Sequence, residues 1–336
     1  WIATAAAVVF ALLGTGSVFA GMAFGAAHAT PAAAAAPTAS PTRTPRPTPS
    51  ATTPASRLRT CSIAGPASDG RLMALEATVA RADSGEVLFD RDGGKPAATA
   101  SLLKVLVAAA AVEALGPDFQ IATDVVDGPE AGTVVLVGHG DATLSALGPG
   151  QESVYSGAPR LSALAGQALT AYRARHPGTP ITRVVLDAGY WTDSAWDPDV
   201  KMSERTEGYQ SYTTALQVDG DRQDPTKQTS PRGADPVATA GAAFLAALHR
   251  ADPGGLVASS ATAGVGTAPA GAIRLAEVTS QPLRALLPQM LLPSDNTLGE
   301  MLSRIVSKRS GLDGSAVSLQ TAIPRALAPY GIPTTG

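Results

Sequence analysis

From Ala100 to Leu115 the chain reads "ASLLKVLVAAAAVEAL", with no glycine or proline until Gly116-Pro117. Alanine, leucine and valine at this density form a helix, and Gly-Pro stops it. A helix apolar on nearly every side must be covered by other elements, so it belongs in a core. The fold has to be built around this segment. A single lysine interrupts it early: Lys104, in the first turn, three residues after Ser101. Residues i and i+3 share a helical face, so Ser101 Oγ and Lys104 Nζ are within reach of each other. Burial and the positive end of the helix dipole both disfavour the ammonium form, which suits a general base beside a serine nucleophile. Free N–H groups of the first turn can also stabilise an oxyanion. A solvated lysine at a frayed helix start is the simpler alternative that the pair alone leaves open.

The remaining chemistry is sparse. Charged residues make up 16% of the 336 residues and the net charge is −3, which excludes a basic nucleic-acid surface; the only basic cluster is "SKRS" at 307–310. The four histidines (28, 139, 176, 249) are scattered and Cys61 is the single cysteine. Neither a zinc site of local spacing nor an internal disulfide is expected, and no cofactor or metal is implied.

Residues 1–29 are uncharged and mostly apolar, longer than the ~20 residues that cross a bilayer. They read as a transmembrane anchor or signal segment, with "AHA" at 27–29 resembling a cleavage site. Either way the rest is exported to the extracytoplasmic side. Residues 30–60 form a Pro/Ala/Thr-rich linker, with seven prolines in 30–56, extended and without a core. Folded sequence starts near Cys61. "MALEATVARADSGEVLFDRDGG" reads as two strands around Ser84-Gly85. "GTVVLVGHGDATLS" is a buried strand running into a glycine-rich loop, 160–176 an amphipathic helix, "ITRVVLDAGYW" a strand and "TTALQVDG" a short strand. Helices follow at 236–251 and on either side of Pro293. Strands and helices mix without βαβ alternation, so the fold class is α+β.

A second polar cluster stands at the start of an apolar helix. "PSDNTLGEML" (293–302) contains the only asparagine of the chain. In an extended or turn geometry Ser294 and Asn296 project to one side and Asp295 to the other. Thr297-x-x-Glu300 also fits a capping box, the purely structural reading. S-x-x-K followed by S-x-N is the pattern of penicillin-recognising serine enzymes; their third motif, K-T-G, is absent from the sequence.

With these motifs, and with "SGEVLFDRDGGKPAATASLLK", "TVVLVGHGDATLS", "VVLDAGYW", "TTALQVDGDR" and "SQPLRALLPQMLLPSDNTLGEML" in order, the chain from about Cys61 to Gly336 resembles the D-alanyl-D-alanine carboxypeptidase/endopeptidases. These are class C low-molecular-mass penicillin-binding proteins of actinobacterial type. The long interval between Ser101 and Ser294 supports this, since compact serine β-lactamases lack it. His139 departs from a common glycine, Ala142 from a proline, and Leu102-Leu103 are bulkier than usual. The resemblance implies a β-lactamase-like transpeptidase domain, an antiparallel sheet flanked by helices, with an inserted mixed α/β region. Its first part would be 61–117, the insertion 118–235 and its continuation 236–336, with K-T-G lying beyond Gly336 and the chain as given inactive.

By the same resemblance Ser101 attacks the carbonyl of the penultimate D-alanine of a peptidoglycan stem peptide and Lys104 takes its proton. Ser294 relays that proton to the leaving amine, and Asn296 holds the acyl-side amide of the substrate. β-Lactams, which imitate D-Ala-D-Ala, would acylate Ser101. Three other readings compete. A serine β-lactamase of the class A kind needs a Glu-x-x-x-Asn stretch that the single asparagine forbids, and one of the class C kind usually has tyrosine in place of Ser294. A non-catalytic wall-binding or scaffolding protein of the same fold would not need all four residues intact. A Ser-His-Asp hydrolase built on His139 lacks a G-x-S-x-G elbow outside the membrane segment.

Overall fold

The computed structural model describes residues 64–332 apart from 192 and 194. The apolar segment 1–29, the linker 30–60 and Cys61 lie outside the described residues. Among the described residues no helix is long and apolar enough to cross a membrane. The chain divides after Lys95 into two units.

In the first unit, β1 (Ala77–Ala80) pairs antiparallel with β2 (Val87–Arg91), with Ala77 opposite Arg91 and a register shift at Val79/Ala80. Thr78 Oγ1 donates to Asp90 Oδ1 at 2.6 Å across the pair. The turn falls at Ser84-Gly85 as the sequence implies, Gly85 taking a φ of 73°.

The second unit contains two cores. The first is a five-stranded mixed sheet ordered β6-β5-β4-β3-β7, from β3 (Ala122–Asp127), β4 (Thr133–Gly138), β5 (Ile181–Asp187), β6 (Val257–Val265) and β7 (Arg274–Thr279). β3 runs antiparallel to β4 and β7, whereas β4, β5 and β6 are mutually parallel. Two helices, α2 (Leu161–Arg175) and α3 (Pro236–Ala251), pack side by side on it, α2 against β3 and β7, α3 against β5 and β6. Val134, Leu136, Val184, Leu186, Leu164 and Phe244 fill the space between. The second core is helical: α1 (Leu103–Leu115) packs against α4 (Leu283–Leu291), α5 (Asn296–Arg309) and α6 (Ala316–Leu327).

The fold is α+β, with three differences from the sequence reading. The sheet core continues past 235 to Thr279: β6 pairs with β5 and β7 with β3 along the two sides of the sheet, and α3 packs on β5 and β6. "TTALQVDG" forms no strand. Its Ala215 carbonyl accepts from Gly140 N–H and its Asp219 N–H donates to Leu144 carbonyl, so it lines the loop after β4 without a ladder. Finally, α1 buries one face through Val107, Ala108, Ala110 and Ala111, while Leu102, Leu103 and Val105 are exposed.

Candidate active site

Ser101 lies in a 3-10 turn, Ala100–Leu102, that precedes α1. Ala100 is forced to a φ of 47°, a left-handed value that a residue with a Cβ seldom adopts. The turn sets the serine at the mouth of the helix, and Lys104 follows one turn later. Its stem runs toward α5, where Gly299 has no side chain; a Cβ there would lie 3.6 Å from Lys104 Cε.

Ser294 comes from the link between α4 and α5, and Asn296 is the first residue of α5. Asp295 N–H donates to Met290 carbonyl at 2.8 Å, turning the chain back on α4. Ser294 adopts a φ of 60° within that turn. Non-glycine residues in this conformation are uncommon and concentrate at functional sites. The Asp295 side chain caps α5, accepting from Leu298 N–H at 2.9 Å. The Thr297–Glu300 capping box is therefore not formed: Thr297 Oγ1 instead accepts from Ser211 N–H at 3.2 Å, and Glu300 binds Arg304 Nε at 3.0 Å.

All four residues singled out in the sequence meet. Lys104 Nζ lies 3.3 Å from Ser101 Oγ, 3.4 Å from Ser294 Oγ and 2.6 Å from Asn296 Oδ1. Ser294 Oγ donates to Ser101 Oγ at 2.6 Å. An amine touching two hydroxyls that touch each other can exchange a proton with either. Partial burial pushes the Lys104 ammonium below the ordinary lysine range, against the opposing pull of the Asp295 charge. A cavity of about 730 Å³ opens beside Lys104 and Asn296, with Leu103, Gly299, Leu319 and Asp197 among its walls.

Behind the site lies a group that the sequence reading does not contain. Asp295 is buried, and its Oδ2 accepts from Arg222 Nη2 at 2.8 Å, from Tyr155 Oη at 2.9 Å and from Gln228 Nε2 at 3.4 Å. Burial would raise this carboxyl, but the Arg222 charge and the Leu298 N–H hold it below the usual carboxylate range. Only the aspartate has a sequence signal, its place inside the motif; its partners are 67 to 140 residues away.

The profile of the D-Ala-D-Ala carboxypeptidase 3 (S13) family matches residues 60–249 and 222–336. Carboxypeptidase DacB of Mycolicibacterium smegmatis is 33% identical over 331 residues, 98% of this chain and 69% of its own length. A carboxypeptidase of Mycobacterium tuberculosis is 35% identical over 257 residues, 76% of this chain but 53% of its own length. The chain thus spans about half of one curated relative and about two thirds of the other. Penicillin binding protein 4 of Haemophilus influenzae shares the fold, with a TM-score of 0.57 at 17% identity over 77% of this chain and 68% of that one. A second structure of that protein, complexed with a β-lactam, gives 0.51 at 18% identity over 76% and 66%.

Proposed function

Since this chain belongs to the D-Ala-D-Ala carboxypeptidase 3 (S13) family, we propose that the full-length protein is a serine-type D-Ala-D-Ala carboxypeptidase and endopeptidase. Its substrates are peptidoglycan stem peptides, its intermediate is an acyl-enzyme on Ser101, and β-lactams inhibit it. The observation that carries this reading is the contact of Ser101, Lys104, Ser294 and Asn296 around one amine.

Ser101 Oγ attacks the carbonyl carbon of the penultimate D-alanine, and its proton passes to Lys104 Nζ. The carbon–nitrogen bond breaks, and Ser294, in contact with both groups, hands the proton to the departing amine. Asn296 fixes the acyl-side amide of the substrate through its carboxamide. Water then attacks the ester with Lys104 again as base, freeing the shortened peptide; where the departing amine belongs to a second strand, the same step opens a cross-link. The apolar segment 1–29 directs the protein out of the cytoplasm and holds it at the membrane, facing the wall.

A fluorescent penicillin should label the full-length protein covalently at Ser101, located by mass spectrometry. Ser101→Ala should abolish both labelling and release of D-alanine from a stem pentapeptide. An adduct on another serine would overturn the mechanism.

A further inference from the structure

We propose that Arg222 and Asp295 form a buried clamp through which the loop after β4 positions Ser294 and Asn296 on Lys104; Arg222 is a positioning residue of the reaction. The inference deepens the hydrolase reading above and rests on it. Asp295 stands between the two site residues, so whatever fixes its side chain fixes theirs. Its side chain and that of Arg222 are 1% and 0% exposed. A buried carboxylate bound by one guanidinium N–H and one phenol is held in position and direction, where a solvated one would not be. Tyr155 closes the triangle: its hydroxyl contacts Asp295 and accepts from Arg222 Nη1 at 2.8 Å, and the guanidinium lies over its ring at 4.8 Å.

The delivery of Arg222 is itself unusual. The three residues before it, Asp219, Gly220 and Asp221, have φ values of 53°, 59° and 58°. Two are not glycine, so the surrounding structure has to impose the turn. It does so from the loop after β4: Leu144 and Ala142 carbonyls accept the Asp219 and Gly220 N–H groups at 2.7 Å, and Asp219 Oδ2 accepts Ala146 N–H at 2.9 Å. A Cβ on Gly220 would come within 2.5 Å of Arg222 Nη1 and 2.7 Å of Tyr155 Oη, so a side chain there would displace the clamp. The loop after β4 therefore bends the 219–221 turn, the turn aims Arg222, and Arg222 holds the link between α4 and α5 in the conformation in which Ser294 meets Ser101.

The test compares Arg222→Gln, Asp295→Asn, the double variant and Tyr155→Phe in the full-length protein. Asparagine caps a helix about as well as aspartate, so Asp295→Asn removes the ion pair and keeps the start of α5. Acylation by a fluorescent penicillin is resolved into the rate at saturation and the concentration for half-saturation. Misplacement of reacting groups by about 1 Å costs about 10²-fold. Each charge variant should lose about that in saturating rate, with half-saturation changed less than about threefold. The double variant should be no worse than the worse single, because both remove the same pair. Tyr155→Phe, which keeps the volume of the core, should lose a smaller factor in the same parameter. Losses that multiply in the double variant, or folded variants at parental rates, would overturn the clamp. Variants that do not melt cooperatively are set aside and Tyr155→Phe decides alone. Reductive methylation, read by mass spectrometry, gives a measure independent of turnover. Lys104, partly buried and more readily deprotonated than the exposed Lys201 and Lys227, should react at a rate distinct from theirs in the parent, and the difference should shrink once the clamp is broken. If the parent does not acylate at all, the hydrolase reading fails, and unchanged Lys104 reactivity in the variants then overturns the clamp separately.

Discussion

A lysine can take a proton from a serine only in its neutral form, and Lys104 sits where that form is favoured. Burial lowers its affinity for the proton, while Asp295 pulls the other way with its negative charge largely countered by Arg222. The sign follows. The protonated amine is inactive as a base, so the acylation rate should rise with pH and level off below the range of an ordinary lysine, about 10.4. Rates of penicillin labelling from pH 6 to 10 check this; a rise centred on the ordinary value would show that Lys104 is not the base. Lys104→Arg should be nearly as damaging as Lys104→Ala, a loss of about 10³-fold or more, because a guanidinium stays protonated at accessible pH. An arginine variant that acylates at close to the parental rate would leave Lys104 as a charge contact only.

At the scale of elements, the loop after β4 carries more than its composition suggests. Gly140 has a φ of 94°, and a Cβ there would lie 2.7 Å from the Trp191 ring and 3.3 Å from Ile305 Cδ1. Trp191 has no freedom to yield, since its Nε1 donates to Thr213 carbonyl at 3.0 Å and Arg304 lies over its ring. Gly140→Ala should therefore destabilise the fold by about 2–4 kcal/mol, part backbone strain and part overpacking, measured by urea unfolding. A change below about 0.5 kcal/mol would mean that the ring moves aside. The glycines of "GHGD" are visible in the sequence, but the tryptophan they accommodate is not. The same holds elsewhere. Helices α1, α2 and α3 are legible because their apolar runs end in recognisable breakers or basic turns. Strand β6, "VASSATAGV", has too many small residues to show alternation, and α6 hides behind Pro324. "TTALQVDG" has the composition of a strand, yet Asp219 to Asp221 turn left-handed and its backbone partners come from a loop. Ser101 with Lys104, and Ser294 with Asn296, are legible as two local patterns. Their meeting depends on α1 packing against α5, and Arg222 depends on a turn held by the loop after β4; no local spacing encodes either.

At the scale of the whole body from Pro96 onward, the two cores are joined through the loop after β4, and its buried carboxylate reports on both. Leu144 belongs to the sheet core, and Ala142 to the helical core. Between Gly140 and Ala142 lies Asp141, fully buried, with Oδ1 accepting from Thr143 N–H at 2.8 Å and from Thr143 Oγ1 at 2.6 Å. Its Oδ2 has no hydrogen-bond partner among the described residues. Burial pushes this carboxyl up to about 6, whereas in the unfolded chain it titrates near 3.9. Between those values the folded state binds the proton and the unfolded state does not, so this group makes stability fall as pH rises. Above pH 6 the folded body carries an uncompensated charge, at a cost of up to about 3 kcal/mol. Asp221 is pushed in the same direction, also to about 6, though Arg232 lies near to offset it. Asp141→Asn removes the titration and keeps an oxygen to accept from Thr143. It should therefore melt higher than the parent at pH 7.5 and show no such gain at pH 4.5, with a shallower slope between pH 4 and 6. Thermal melts across that range, followed by a tryptophan signal for the helical core and by far-ultraviolet dichroism for the whole, test this. Because the loop belongs to both cores, the two probes should move together. Parallel curves for parent and variant would mean that Asp141 stays ionised in the fold, and probes that separate would mean that the loop does not couple the cores.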